Sequence, residues 1–222
     1  MWRIVKVVLI ASGMTVLGWY ATNSVYFAKP IAGRVLEGGT PTPLPGVTVV
    51  ADWQLQGGME GGSTTGHVLI LETVTDADGQ FAFPAWGPRL AYPFKHFEER
   101  APLLLFFKPG YVPKDIENRN WSRGWVLRSD WDGETILLEP ASRYPGRYAS
   151  VMQSFGSGID LWFFYNRCVW QSLPHLLLAL DQASIALSRP PNVVELPTLD
   201  HWEKARPECN FDGDSVRRLG RW

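Results

Sequence analysis

The side chains best suited to recognition concentrate in one polar segment, residues 118–133. It contains Trp121, Trp125 and Trp131, with Arg123 between the first two. Indole rings stack on sugar rings, and Trp and Arg dominate the binding hot spots of protein interfaces. We therefore predict a binding surface for a glycan or a protein partner at Trp121, Arg123, Trp125 and Trp131. The alternative is that these rings fill a seam between two parts of the fold.

Other polar clusters lack the spacing that catalysis or metal binding requires. Asp76, Asp78 and Gly79 resemble the start of a calcium loop, but Gly87 stands at the twelfth position, where an EF-hand needs a bidentate Glu. The four histidines are scattered and form no H-E-x-x-H motif. The Ser- and Gly-containing residues 154–158 do not form G-x-S-x-G. We predict no catalytic residue, no metal site and no cofactor, and therefore a protein that is not an enzyme.

The chain has two cysteines, Cys168 and Cys209. Exported proteins meet an oxidising environment, and no third thiol competes for pairing. We therefore predict a disulfide between Cys168 and Cys209. The alternative is that Cys168, which lies in the apolar stretch WFFYNRCVW, is a buried small hydrophobe.

Composition narrows the class of protein. The 222 residues include 21 Lys and Arg against 22 Asp and Glu, a formal net charge of −1. This balance argues against a nucleic-acid binder, which needs a basic surface to displace counterions from phosphates. With 45% hydrophobic and 19% charged residues, the chain is also too apolar to be largely disordered.

The first 28 residues are typical of a membrane anchor or a signal sequence. Arg3 and Lys6 precede residues 7–28, which carry no charge and which would span about 33 Å as a helix. The basic residues come first, so we expect the N-terminus to stay cytoplasmic and the rest to be exported. The alternative is a cleaved signal peptide, although bulky residues occupy most of the expected cleavage positions.

Residues 29–140 alternate short apolar runs with Gly, Pro and Asp, a pattern typical of an antiparallel sandwich. Seven strands are predicted, at residues 31–37, 46–55, 67–75, 80–83, 102–108, 125–128 and 134–139.

Four motifs occur in order within this region. They are GRV at 33–35, PGVTV at 45–49, TDADGQFAF at 75–83 and KPGY at 108–111. Together they resemble the carboxypeptidase regulatory-like domain, a transthyretin-like (prealbumin-like) β-sandwich. The resemblance covers residues 29–112 and can extend to Pro140; Gly-rich residues 56–66 and residues 85–101 are insertions relative to the pattern. It implies a noncatalytic accessory module of an exported protein.

After residue 140 the sequence pattern changes from short strands to helices. Residues 141–190 read as a helical extension, with Ser172 as a cap and Pro174 in the first turn of an amphipathic helix. Residues 154–158 are expected to break this extension into two helices. Residues 191–222 read as an irregular C-terminal tail.

These readings combine into one expectation. The fold is mainly β: an antiparallel transthyretin-like sandwich with an N-terminal transmembrane helix and a C-terminal α-helical extension. The expected protein is anchored in the bacterial inner membrane by a single pass, with its body in the periplasm. We expect it to be an interaction or assembly module for other envelope or membrane proteins; the alternative is a carbohydrate- or peptidoglycan-binding module that uses exposed Trp residues.

Overall fold

The computed structural model describes Lys6, Ser12 and residues 25–57, 63–90, 95–98, 100–120, 124–144, 146–164, 168–187, 196–205 and 207–219. In this part of the chain the fold is mainly β, with several sheets and a few helices.

The strands coincide with the apolar runs between turn residues. They are β1 (Val25–Ala28), β2 (Ile31–Glu37), β3 (Thr48–Gly57), β4 (Ser63–Val74), β5 (Gln80–Phe83), β6 (Trp86–Leu90), β7 (Lys95–Phe97), β8 (Leu103–Phe107), β9 (Lys114–Ile116), β10 (Val126–Leu127) and β11 (Thr135–Leu138). The seven predicted strands correspond to β2, β3, β4, β5, β8, β10 and β11. Of the four strands that were not predicted, β1 lies in the segment assigned to the anchor, β6 and β7 lie in residues 85–101, which were treated as an insertion, and β9 has only three residues.

The strands form three sheets, in the orders β10-β1-β6, β11-β2-β5 and β4-β3-β8-β9, and β7 pairs with the end of β3. The expectation of a purely antiparallel sandwich is wrong in one respect. Strands β10 and β11 run parallel to β1 and β2. Each returns to its partner only after a long excursion of the chain, which is the kind of connection that parallel pairing requires.

The central sheet is buried on both faces, which makes the body a β-sandwich with an added helical layer. Val49, Ala51 and Trp53 of β3 face a core shared with the two smaller sheets. Val50, between them, faces a second core shared with the helices. Successive strand residues point to opposite faces, so a run that is apolar at every position must be covered on both sides.

The helical layer contains, among the described residues, α1 (Tyr148–Phe164), α2 (Pro174–Leu187), α3 (Leu199–Ala205) and α4 (Gly213–Leu219). Two expectations need correction here. Helix α1 runs without a break through residues 154–158, because Gly156 is buried and helical packing outweighs the cost of glycine. The tail after residue 191 is not irregular throughout, since α3 and α4 pack Leu199, Trp202 and Val216 into the helical core.

The predicted N-terminal anchor, residues 7–28, ends earlier than expected. Val25–Ala28, the last four residues of the predicted anchor, form strand β1 instead of continuing a helix. The preceding residues 1–24 lie outside the described part of the chain, except for Lys6 and Ser12. Of the helices described, none is both long enough and apolar enough to cross a bilayer.

Candidate functional site

The predicted tryptophan surface is only partly brought together. Trp121 and Arg123 lie outside the described residues. Trp125 precedes β10 with 53% of its surface exposed, as a binding role requires. Trp131 is half-buried: its indole N–H donates to the Glu117 carbonyl at 2.8 Å, and the Arg119 guanidinium lies 4.1 Å from its ring centre. Trp131 therefore packs against the sandwich core, and Trp125 is the more exposed of the two described indoles of this group.

An apolar groove of about 480 Å³ opens where the helical layer meets the end of the central sheet. Strand β8 contributes Leu103 and Leu105 to its floor, and α1 contributes Val151, Phe155 and Ile159. Gly158 lies at the groove, and a side chain added there would meet no atom within 4 Å. Strand β9, the last in the described order of this sheet, borders the groove. Sequence reading missed the groove; its signal was the continuous apolar run at 102–108, which indicates a strand covered on both faces.

Among the described residues, Asp52 and His67 form the pair that most resembles part of a catalytic site. Asp52 Oδ1 lies 2.6 Å from His67 Nδ1, and both side chains are buried. The pair lies between β3 and β4, beside a cavity of about 490 Å³ that Cys168, Gln171 and Ser172 also line. A carboxylate holding an imidazole is half of a catalytic arrangement. However, the Ser172 hydroxyl donates to the Val169 carbonyl at 2.6 Å, so the arrangement is read as buried polar pairing within the sheet.

The four motifs that carry the family resemblance meet at one end of the sandwich. Val35 N–H donates to the Gly79 carbonyl at 2.8 Å, and Arg34 Nε donates to the Asp78 carbonyl. Lys108 Nζ donates to the Pro45 carbonyl at 2.6 Å. Together with a bond from Gly46 N–H to the Thr75 carbonyl at 3.0 Å, these hydrogen bonds tie the four motifs to one another.

Within that cluster, Thr75 and Asp76 organise the turn between β4 and β5. The buried Thr75 hydroxyl accepts from Val47 N–H at 2.9 Å and donates to the Leu44 carbonyl at 2.7 Å. Asp76 Oδ1 accepts from Asp78 N–H and Gln80 N–H. This use of the Asp76 carboxylate is a turn function. Over the described residues, no group of three His, Cys, Asp or Glu side chains could hold a metal ion.

Burial is the main cause of the shifted pKa values of three side chains in this region. Burial lowers the pKa of the Lys108 ammonium. Burial raises the pKa of the Tyr111 phenol, and the nearby Glu37 carboxylate, which accepts its hydrogen bond at 3.2 Å, raises it further. Burial also raises the pKa of Tyr148, opposed by a hydrogen bond from Gly110 N–H. Each of these groups makes a hydrogen bond to a part of the chain distant in sequence.

Cys168 and Cys209 are joined by a disulfide, with their Cα atoms 5.5 Å apart. The bridge links the turn before α2 to the turn before α4. Beside it, the buried Trp170 ring lies 5.5 Å from Trp202 and 4.7 Å from Phe211 between ring centres. The disulfide is therefore part of the joint that holds the tail against the helical layer.

No protein-family model matches this chain, and a search of curated proteins finds no match either. Solved structures show partial likeness. A chain of a type II cohesin-X-dockerin complex from Acetivibrio cellulolyticus is 18% identical, covering 50% of this chain and 56% of that chain, with a TM-score of 0.22. This protein thus spans little more than half of that chain's length.

Two further solved structures show similarly low identity and TM-scores. The dioxygenase domain of a dioxygenase carbohydrate-binding protein fusion from Streptomyces sp. SirexAA-E is 20% identical over 54% of this chain and 80% of that chain, with a TM-score of 0.27. A shaft pilin variant from Lactobacillus rhamnosus GG is 10% identical over 52% of this chain and 50% of that chain, with a TM-score of 0.24. No activity or partner is transferred from them, and the β-sandwich assignment rests on the strand order and the cores.

Proposed function

We propose that this protein is a noncatalytic, membrane-anchored envelope protein that acts as an interaction or assembly module for other envelope or membrane proteins. Its anchor would be the uncharged residues 7–24, which as a helix would extend about 27 Å, close to the thickness of the hydrocarbon core of a bilayer. The N-terminus would be cytoplasmic and the body periplasmic, because the basic residues precede the uncharged stretch.

We also propose that the sandwich is a carboxypeptidase regulatory-like domain. The support is that its four motifs, far apart in sequence, meet in one hydrogen-bonded cluster. In that family such domains are usually noncatalytic accessory modules, which agrees with the structural use of these residues here.

The observation that carries the functional proposal is the groove between β8, β9 and α1. Its floor is apolar and open, and it is bordered by β9, which among the described residues is the last strand of the central sheet. An extended partner segment can add to such an edge while its alternate side chains enter the groove. The proposed partner is therefore a segment of another envelope protein with apolar side chains at every second position.

Co-purification in mild detergent tests this proposal. Gly158→Lys places a charged chain at the groove, where the structure has open space, and lysine is a better helix former than glycine. Ser157→Lys is the matched control, because Ser157 is exposed on the same helix and does not line the groove. We expect a stoichiometric partner with the wild type and with Ser157→Lys, and its loss with Gly158→Lys. No stoichiometric partner in any sample, or equal loss in both variants, would contradict the proposal.

The alternative function, glycan or peptidoglycan binding at exposed tryptophan, makes a different prediction. It requires that a glycan pulldown retain the wild-type protein and lose Trp125→Ala, while Gly158→Lys has no effect. Trp125 is exposed, so its removal should leave the fold intact.

A further inference from the structure

We infer that the outer face of the β10-β1-β6 sheet lies on the lipid bilayer, in the interfacial region of the same membrane that residues 7–24 enter. This inference rests on the membrane anchoring proposed above and adds to it a specific lipid-contact surface. That surface, called the lipid face below, consists of Phe27, Leu90 and Val126, and the exposed Trp125 adjoins it at the start of β10.

The lipid face is contiguous because of strand register. Phe27 is paired with Val126 across the β1–β10 ladder, and Leu90 is paired with Val25, two residues before Phe27. Directly paired residues, and residues two apart on one strand, lie on the same face of a sheet. Trp125 precedes Val126, outside the strand, and its carbonyl accepts from Phe27 N–H at 2.9 Å, which places its backbone beside β1 at the edge of this face.

These large apolar side chains are exposed. The exposed fractions are 41% for Phe27, 71% for Leu90, 53% for Trp125 and 45% for Val126. The alternate residues Ala28 and Leu127 are buried in the sandwich core, so the small sheet is apolar on both faces. Isolated exposed apolar residues need no explanation, but an adjoining group on one sheet face marks an interaction surface.

The position of β1 directly after the proposed membrane span indicates that lipid covers the lipid face. Residue 25, the first of β1, follows directly in sequence on the uncharged residues 7–24. If those residues span the bilayer, Phe27 must lie within about 10 Å of its surface, since it is three residues further along and extended chain covers only about 3.3 Å per residue. The lipid face therefore cannot lie far from the headgroups.

The border of the lipid face has the matching chemistry. Lys29 and Arg128 are exposed and stand two residues beyond Phe27 and Val126. Because β1 and β10 are parallel, both basic residues emerge at the same end of the patch. Aromatic and aliphatic side chains at the level of the headgroups, flanked by Lys and Arg that reach lipid phosphates, are typical of a membrane interface.

This placement orients the rest of the molecule. The lipid face is the outer side of the first layer, whereas the groove lies in the helical layer on the far side of the central sheet. With the small sheet on the bilayer, the groove would point away from the membrane, where a soluble or extracytoplasmic partner segment reaches it.

Site-specific photocrosslinking of the full chain in phosphatidylethanolamine–phosphatidylglycerol vesicles tests the inference. The probe is Leu90→p-benzoylphenylalanine, and the control is Ile185→p-benzoylphenylalanine on α2, where the native side chain is 59% exposed. We expect at least about tenfold more phospholipid adduct at position 90 than at 185, read by mass spectrometry. Equal adduct yields, or crosslinks from position 90 to a second copy of the chain, would overturn the inference.

Alkaline carbonate extraction of the same vesicles separates the two proposals. Release of the chain into the supernatant would refute the anchor. Retention of the chain without lipid adducts at position 90 would leave the anchor standing and refute the lipid face alone. Photocrosslinking in intact cells is a further test of the lipid face. A protein adduct at position 90 would identify this surface as a protein interface and refute lipid contact.

Tryptophan quenching by brominated phospholipid gives a second, independent readout. Trp125→Phe should remove part of the quenchable fluorescence, whereas Trp131→Phe should not, because Trp131 packs against the core of the body. An unchanged quenchable fraction in Trp125→Phe would contradict lipid contact at this residue.

Discussion

At the scale of single residues, Thr75 shows how a short polar side chain stabilises the β4–β5 end of the sandwich. Its hydroxyl is buried and bridges the Val47 N–H and the Leu44 carbonyl, both of which belong to the loop that precedes β3. A buried backbone group without a partner loses its hydration and gains nothing in return. Thr75 therefore supplies two bonds that the ladder itself does not.

We predict that Thr75→Val lowers the free energy of unfolding by about 1–3 kcal/mol, because it leaves both backbone groups without their partner. Thr75→Ser is the control: it keeps the hydroxyl and loses one methyl group, which costs about 0.8 kcal/mol. Urea denaturation of the three proteins measures the difference. A Val variant as stable as the wild type would show that water replaces the hydroxyl.

Gly79 illustrates a backbone requirement. Its φ is +72°, and a Cβ there would collide with the Val35 carbonyl oxygen and come within 3.0 Å of Leu44 N. We predict that Gly79→Val destabilises the fold by more than about 1 kcal/mol, since a β-branched residue is strained at positive φ. Thermal or urea unfolding measures this loss.

The control at this turn is Asp78→Asn, which we expect to change stability by about 0.5 kcal/mol or less. The side chain of Asp78 is exposed, and Asn suits the same turn geometry. Added calcium should leave the melting temperature of the wild type unchanged. A calcium-dependent rise that Asp78→Asn abolishes would restore the metal interpretation of this motif.

At the scale of elements, the first turn of α2 is capped by a strand. Glu72 of β4 accepts hydrogen bonds from the His175 and Leu176 N–H groups at 2.9 and 3.1 Å, and its Oε1 lies 2.9 Å from His175 Nδ1. The expected cap, Ser172, bonds the Val169 carbonyl instead. A carboxylate beside a helix N-terminus satisfies free N–H groups and interacts favourably with the helix dipole. Glu72 therefore fastens the helical layer to the central sheet.

We predict that Glu72→Ala destabilises the protein by about 1–3 kcal/mol, because it leaves the N-terminal N–H groups of α2 without this acceptor. Glu72→Gln, which keeps one acceptor oxygen and loses the charge, should fall between wild type and Ala. Hydrogen exchange at the amides of residues 175–177 locates the effect. Unaltered protection there in Glu72→Ala would argue against the cap.

The disulfide is the other fastening between elements. Cys168 and Cys209 are 41 residues apart in sequence, and in the chain-entropy model such a bridge stabilises by about 3–4 kcal/mol. We predict that protein from the oxidising compartment takes up no alkylating reagent under denaturing, nonreducing conditions, and that reduction lowers its stability by that amount. Two freely labelled thiols would show that Trp170, Trp202 and their neighbours hold the tail by packing alone.

At the scale of the whole molecule, the layers run from the small sheets through the central sheet to the helices. In the proposed arrangement the first layer rests on the membrane and the last one presents the groove. This arrangement requires that the anchor be retained after export.

We predict that mass spectrometry of protein extracted from membranes finds the N-terminal peptide still attached. The reason is that Trp19, Tyr20 and Tyr26 place bulky side chains near the expected cleavage positions, where small residues are needed. A mature N-terminus anywhere between residues 22 and 31 would refute retention, and with it the lipid face.

Sequence alone determined the features that depend on neighbouring residues. The apolar runs and turn residues at 31–37, 46–55 and 75–83 located strands β2, β3 and β5 and the Gly79 turn, because an apolar run bounded by turn residues and a residue that tolerates positive φ are local features of the sequence. The pairing of Cys168 with Cys209 followed from there being no other thiol.

Only the tertiary structure decided which elements meet. Nothing local distinguishes an antiparallel neighbour of β1 from the parallel β10, nor marks Glu72 as a cap for a helix a hundred residues later. Trp125 and Trp131 look alike in sequence, yet one remains exposed while the other packs beside Arg119. The physical reason is that long-range packing and hydrogen bonding, which no short window of sequence contains, choose among the several arrangements that each local pattern allows.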